Sequence, residues 1–220
     1  MNISKSLPKF LAALGLALVL AGCGVNSIPT KDQAVKAAAA NVQAAYQRRS
    51  DLIPNLVATV QGYAAQEKSV LTEVTEARAQ ATHVSIDAST ITDPAAMARF
   101  QQAQNQLSGV LGRLLSISEN YPELKSNQNF LALQSQLEGT ENRIEISRRD
   151  YNAAVQDYNT ELVTIPGSIW AATFYKSYKQ ATPFAASAAA QSAPSVFPGA
   201  QSTAPPPSPS AAQPGTQPAR

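Results

Sequence analysis

Between Tyr121 and Leu162 the positions Phe130, Leu137, Ile144, Tyr151 and Tyr158 recur every seven residues, and Leu133, Thr140, Ser147 and Ala154 fill the positions three further on. Two such series form the seam of a helix that must lie against other helices. From Val155 the apolar companions shift to Val155 and Leu162, the drift of a 3.6-residue helix past a strict seven-residue repeat. At 1.5 Å per residue the run is roughly 60 Å long, more than a small domain needs to close a core. A coiled coil between chains and a bundle within one chain both satisfy such a seam, and the rest of the sequence has to decide.

It points to a bundle. From Lys31 to about Thr82 apolar residues step by three and four through Val42, Tyr46, Ile53, Leu56, Val60, Tyr63, Val70, Val74, Ala77 and Ala81, with Arg49 and Glu67 as polar members of the same line. Pro54 has no N–H to give the Ser50 carbonyl, so the spacing predicts one long bent helix or two nearly collinear ones, with Asp51 placed to cap the second half. His83 to Asp93 loses the period and reads as a loop. Asp93-Pro94 then opens a second helix to about Ser118, with Met97, Phe100, Leu107, Leu111 and Leu114 on its apolar face. The third helix follows from about Glu123 and ends near Ile165-Pro166-Gly167. Ser168 to Gln180, with Trp170, Phe174, Tyr175 and Tyr178, predicts a short covering helix. The expected fold is all-α: an elongated antiparallel bundle of three long helices, the first kinked at Pro54 so that the bundle is four-helix-like, plus a short C-terminal helix. Lys31–Ile53 and Arg143–Leu162 should extend from it as a two-helix stalk.

Charged residues make up 15% of the chain and aromatics 6%, which favours slim helices over a wide globule. The net charge of +2 is the sum of 17 basic and 15 acidic residues with no basic stripe, which argues against nucleic-acid binding. The single Cys excludes an internal disulfide and a Cys-based zinc site.

That Cys closes a leader. Lys5 and Lys9 precede an apolar run from Phe10 to Leu20, followed by Leu20-Ala21-Gly22-Cys23. The run is too short for a bilayer core of roughly 30 Å and suits a signal peptide. Leu-Ala-Gly-Cys resembles the bacterial lipobox, which makes Cys23 the expected lipidation site. At about 0.8 kcal/mol per buried methylene, two or three acyl chains hold a protein on a membrane almost permanently. Gly24, where an Asp would signal inner-membrane retention, favours the outer membrane. The expected organisation is a signal peptide over residues 1–22, lipidated Cys23 and a tether to residue 30, a helical bundle over 31–180, and a disordered Pro/Ala/Ser-rich tail over 181–220.

No catalytic group can be assembled. His83, the only His, has no nucleophile to serve, and phosphate-binding, zinc-peptidase and serine-hydrolase motifs are absent. Glu138, Glu141 and Glu145 share a helical stripe, yet bundle metal sites bring Glu-x-x-His with them, so neither a metal nor a cofactor is expected. The polar residues at mid-helix instead suggest register-fixing ion pairs: Arg48, Arg49 and Asp51 on the first helix opposite Glu138, Glu141, Arg143 and Arg149 on the third.

These residues also carry a resemblance. Tyr46-Gln-Arg-Arg-Ser-Asp-Leu-Ile-Pro-Asn-Leu-Val57 with Gly62-Tyr63-Ala64 and Ala77-Arg78, and then Leu137-Glu-Gly-Thr-Glu-Asn-Arg-Ile144 with Arg149, Tyr151-Asn152 and Tyr158-Asn159, resemble the two signatures of the LemA family over about Ala40 to Gly167. The resemblance implies an antiparallel helical bundle on an N-terminal membrane anchor, outside the cytoplasm. It brings no catalytic residues and no cofactor, only a loose association with membrane-stress proteases and envelope quality control. Gln66-Glu67 replaces the family's frequent His-Glu, a lipobox replaces its usual transmembrane anchor, and the Pro-rich tail lies outside the shared region. The function expected is that of a non-enzymatic lipid-anchored scaffold facing the periplasm. Its expected partners are the membrane, through the acyl chains on Cys23, and an envelope protein or cell-wall component. A regulator of a membrane protease is the alternative.

Overall fold

The computed structural model of the chain describes residues 24–185. The expected signal peptide, Cys23 and most of the expected tail lie outside them. Seven helices occur among the described residues: α1 (Ser27–Tyr63), α2 (Lys68–His83), α3 (Ala88–Thr92), α4 (Pro94–Ser118), α5 (Pro122–Lys125), α6 (Gln128–Val163) and α7 (Gly167–Thr173). No strand occurs among them, so this part of the chain is all-α.

The long helices run up, down, up and down. Arg78 Nε donates to the Ser50 carbonyl and the Ile86 N–H to Gln43 Oε1, which sets α2 antiparallel to α1. Gln104 Nε2 donates to the Ala81 carbonyl and Arg113 pairs with Glu73, which sets α4 antiparallel to α2. Lys31 pairs with Glu161 and Arg49 with Glu141, which sets α6 antiparallel to α1. The expected all-α antiparallel bundle is thus present, its four-helix character coming from a reversal that makes α1 and α2 separate helices.

The expected first helix, one long bent helix or two nearly collinear ones over residues 31–82, is corrected at two places. Pro54 lies inside α1 without ending it, and Asp51 is an exposed mid-helix residue that accepts from Gln47 Nε2 instead of capping anything. The Ser50 carbonyl, which Pro54 cannot serve, takes the Arg78 guanidinium from α2 as its donor, so the missing backbone bond is replaced from outside the helix. The chain reverses later, at Ala64–Glu67, where Glu67 N–H closes a turn onto the Ala64 carbonyl. Apolar steps of three and four read the same on a helix that continues and on two that fold back, because each buries one face.

Other boundaries shift for local reasons. The expected loop His83–Asp93 contains α3, whose N-cap Asp87 accepts from the Ser89 and Thr90 N–H groups. Asp93 caps α4 with Pro94 behind it, as the sequence predicts. The third helix starts at Gln128 and not Glu123, because Asn127 accepts from the Asn129 and Phe130 N–H groups and separates it from the single turn α5. The expected tether residues Ser27–Thr30 already belong to α1. At the far end the Ile165–Pro166 peptide is cis, and a Cβ on Gly167 would fall 2.0 Å from the Glu161 carbonyl oxygen, an approach only glycine permits.

Two hydrophobic clusters form. The upper one joins Ile53, Leu56 and Val60 of α1 to Leu71 and Val74 of α2, Leu107 and Leu114 of α4, and Phe130 and Leu137 of α6. The lower one joins Ile28, Val35, Val42 and Tyr46 of α1 to Phe100 of α4 and Ile144, Tyr151, Val155 and Tyr158 of α6. The expected two-helix stalk is therefore not bare. The short covering helix ends at Thr173 and not Gln180, and Phe174 is exposed. Cover comes instead from α7 and from residues 179–184. Ala181 and Phe184 are buried in the lower cluster, so the tail expected from residue 181 begins with packed residues.

Candidate functional site

The two clusters meet at Arg49. Its side chain is 3% exposed, set among α1, α4 and α6. Nη1 donates to Ser108 Oγ at 2.8 Å and to Glu141 Oε2 at 3.0 Å, and Nη2 to Gln104 Oε1 at 2.7 Å. Gln104 passes the connection on, since its Nε2 donates to the Ala81 carbonyl at 3.0 Å. One guanidinium thus links all four long helices. It also lies over the Tyr46 ring, 5.0 Å from the centroid. Burial pushes the Tyr46 phenol above its ordinary range. A buried cation is tolerable only when paired and hydrogen-bonded, and here the pairing partner, Glu141, is 60% exposed.

Above this link α4 and α6 stand apart, and a groove of about 320 Å³ opens between them. Leu111, Leu115 and Leu137 make its apolar walls, and Gln134, Glu138 and Glu141 follow one another along the α6 rim. On the α4 rim a Cβ added to Gly112 would meet nothing within 4 Å, so that edge is open backbone.

Of the polar residues singled out in the sequence, the structure brings only Arg49 and Glu141 into contact. Glu138 lies on the groove rim and accepts from Gln134 Nε2. Arg48, Asp51, Arg143 and Arg149 are exposed and stand apart from the Arg49 link. Pro54 is exposed on α1 and acts through the carbonyl it leaves to Arg78. The sequence reading missed Gln104 and Ser108. Gln104 had a signal of its own, since it fills the gap between Phe100 and Leu107 on an otherwise apolar line.

A second arrangement was not anticipated at all. Asn159 donates Nδ2–H to the Ala181 carbonyl and accepts the Ala181 N–H, both at 2.8 Å. Seven residues earlier on α6, Asn152 does the same for Phe184, at 3.1 and 2.8 Å. The neighbouring phenols join in: Tyr158 donates to the Lys179 carbonyl and Tyr151 to the Thr182 carbonyl, each at 2.9 Å. Burial holds both phenols at about 12.

The class of protein is set by the fold, an all-α antiparallel four-helix bundle with a groove between two of its helices. The profile of the LemA family matches residues 38–197, and the chain belongs to that family. The match runs thirty residues past Gly167, so it includes the segment clamped by Asn152 and Asn159. Among curated relatives, the magnetosome proteins MamQ 1 and MamQ 2 of Paramagnetospirillum magneticum are each 26% identical over 175 residues, covering 72% of this chain and 64% of theirs. The protein LemA of Metamycoplasma hominis is 22% identical over 155 residues, covering 70% of this chain and 67% of its own. The chain therefore spans a little under two thirds of the MamQ proteins' length. The LemA family is one of unknown function, and membership assigns no reaction. Among the described residues no helix is long and apolar enough to cross a membrane, and no group of three or more His, Cys, Asp or Glu side chains gathers to hold a metal.

Proposed function

We propose that the protein is a non-enzymatic adaptor of the cell envelope, lipid-anchored through Cys23 on the periplasmic side of the outer membrane, which docks a partner protein in the groove between α4 and α6. The groove carries the reading. Its walls are leucines, its α6 rim is acidic through Glu138 and Glu141, and Gly112 leaves the α4 edge open to close backbone approach. A helix bearing leucine-like side chains on one face and Lys or Arg beside them fits both features. A partner cation would meet Glu141 where it already neutralises Arg49, so docking and the interhelical link share one carboxylate.

Two experiments test this. Replacing Cys23 by Ala should release the protein from membranes, and retention after a high-salt wash would refute lipid anchoring. For the groove, a photo-crosslinking side chain at Gly112 in the intact anchored protein should capture an envelope protein, and Glu138→Lys should abolish the product. A membrane protease as the dominant product would favour the regulator reading over the adaptor. A product unchanged by Glu138→Lys, or none, would remove the groove from the function.

A further inference from the structure

We propose that the channel which the C-terminal half of α6 forms with α3 and the start of α4, over the N-terminal half of α1, is a receptor for an extended peptide carrying a small residue and, three positions on, an aromatic one. Residues 179–184 are its resident occupant, displaced when a partner protein presents a segment of that pattern. Two spacings match. Asn152 and Asn159 are seven residues apart on a helix, which is about 10.5 Å of rise. Ala181 and Phe184 are three residues apart in a segment without helical structure, and three extended residues span about 10 Å. One heptad of helix therefore keeps step with three residues of extended chain, and the Tyr-Asn pair repeated at seven can hold such a chain residue for residue.

What the side chains read is backbone. Each carboxamide donates to a carbonyl and accepts from the N–H of the same residue, as the edge of a β-strand would. The Thr182 N–H is taken by the Ile91 carbonyl from the other side. Such contacts accept any residue but proline at positions 181, 182 and 184, and further selectivity falls to the side chains that enter the channel. Ala181 and Phe184 do so, while Lys179, Gln180 and Pro183 remain exposed. The Phe184 ring stands edge-on to Tyr151 at 5.2 Å and to Phe100 at 6.2 Å, with the Arg148 guanidinium 4.9 Å from its centroid.

The occupant is built to leave. Only two of its side chains, Ala181 and Phe184, are buried, the rest of its hold is hydrogen bonds that a displacing backbone can take over, and the connection from α7, residues 174–178, has no helix and is mostly exposed. The floor does not depend on it, because Ile28, Val35 and Val42 of α1 pack with Val155 of α6 beneath. An occupant tethered in the same chain acts at an effective concentration on the order of millimolar, so it screens the channel against weak competitors.

The test uses the full chain and a labelled peptide of the sequence Lys-Gln-Ala-Thr-Pro-Phe-Ala, followed by fluorescence anisotropy. Phe184→Ser should free the channel, and the peptide should bind that variant saturably and at least about tenfold more tightly than the unaltered chain. Adding Asn152→Ala and Asn159→Ala should abolish binding, and so should replacing the peptide's Phe by Ser. Failure to bind a Phe184→Ser chain that remains helical would overturn the proposal, as would binding indifferent to the two asparagines. Dimerisation of the chain through the same asparagines without peptide capture would put a second copy in place of the partner and overturn it as stated. If Phe184→Ser does not fold, hydrogen exchange in the unaltered chain decides. The Ala181 and Phe184 amides should exchange at least about tenfold faster than those of Val42 and Tyr151, and equal rates would mean the segment leaves only on global unfolding.

Discussion

The upper and lower halves of the α1–α6 pair bury the same two helices against different neighbours. Above Arg49 the neighbours are α2 and α4, whose own helical bonds satisfy their backbones, and they offer Leu71, Val74, Leu107 and Leu114. Below it the neighbours include residues 179–184, whose backbone N–H and carbonyl groups have no bonds of their own making. The seam of α6 changes chemistry at that point. Phe130, Leu137 and Ile144 are hydrocarbon, whereas Tyr151 and Tyr158 carry hydroxyls and are each followed by Asn. A buried polar group must be paired, so a helix facing another helix can be plain oil, and a helix facing bare backbone must bring donors and acceptors. The identity of a seam residue thus reports the kind of neighbour it has.

The largest effect expected from this contrast separates two buried phenylalanines. Phe130→Ala opens a cavity among four helices that cannot collapse independently, and should cost about 3–5 kcal/mol of global stability in urea unfolding. Phe184→Ala is limited by a cheaper escape: once the segment undocks, nothing further is lost, so its cost is capped by the docking free energy. We expect less than half the Phe130→Ala value. Equal costs would mean that both halves unfold as one cooperative unit, and the distinction between them would fall.

The junction gives the next effect. Arg49→Ala removes a side chain that links α1 to α4 and α6, and it strands the buried Gln104 carbonyl oxygen, for about 2–3 kcal/mol. Glu141→Ala leaves the guanidinium on Gln104 and Ser108 with water replacing an exposed carboxylate. About 1 kcal/mol or less is expected there. Thermal unfolding of the two single variants measures the asymmetry. A Glu141→Ala loss as large as that of Arg49→Ala would make the ion pair, rather than the polar network behind it, the element joining the halves.

How much of this was legible follows the same division. The helical class, the α4 cap at Asp93-Pro94 and the α6 seam were readable because period and capping chemistry are local. The reversal at Ala64–Glu67 was not, since no Pro or paired Gly marks it and the apolar steps pass through it unchanged. Arg49 stood out as a charge on an apolar line, and Gln104 could have been found in the same way. Their meeting needed the fourth helix that the continuous reading of residues 31–82 suppressed. The Tyr-Asn repeat was visible as a pattern but had no readable purpose, because its partner lies in a segment whose composition speaks for disorder. Ala181 and Phe184 are ordered by contacts that α6 supplies, and nothing in their own sequence requires it.

The smallest expected effect is a pH dependence that enters through the lower half at both ends of the scale. Asp87, which caps α3 beside the lower cluster, is held at about 2, chiefly by the Ser89 hydroxyl and then the Thr90 N–H. Glu161, which joins α6 to the start of α1, is held low by Lys31 and then by Ser27. A carboxyl lowered on folding stabilises above its unfolded value, so these contributions are present above about pH 4 and fade as the pH falls toward 2. Tyr151 and Tyr158 work in the opposite sense. Burial raises both to about 12 from the phenol's ordinary 10.0, and for Tyr158 the nearby Asp32 adds to it. Their contribution is complete below pH 10 and is lost between 10 and 12, where a phenolate can no longer donate to the Thr182 or Lys179 carbonyl. Fluorine NMR of a chain labelled at its phenylalanines should therefore show the Phe184 signal moving at alkaline pH before that of Phe130. Tyr151→Phe together with Tyr158→Phe should remove the alkaline difference while leaving the acid one. Simultaneous movement of the two signals in the unaltered chain would show that phenols and carboxylates report on a single structure rather than on a bundle and the segment clamped to it.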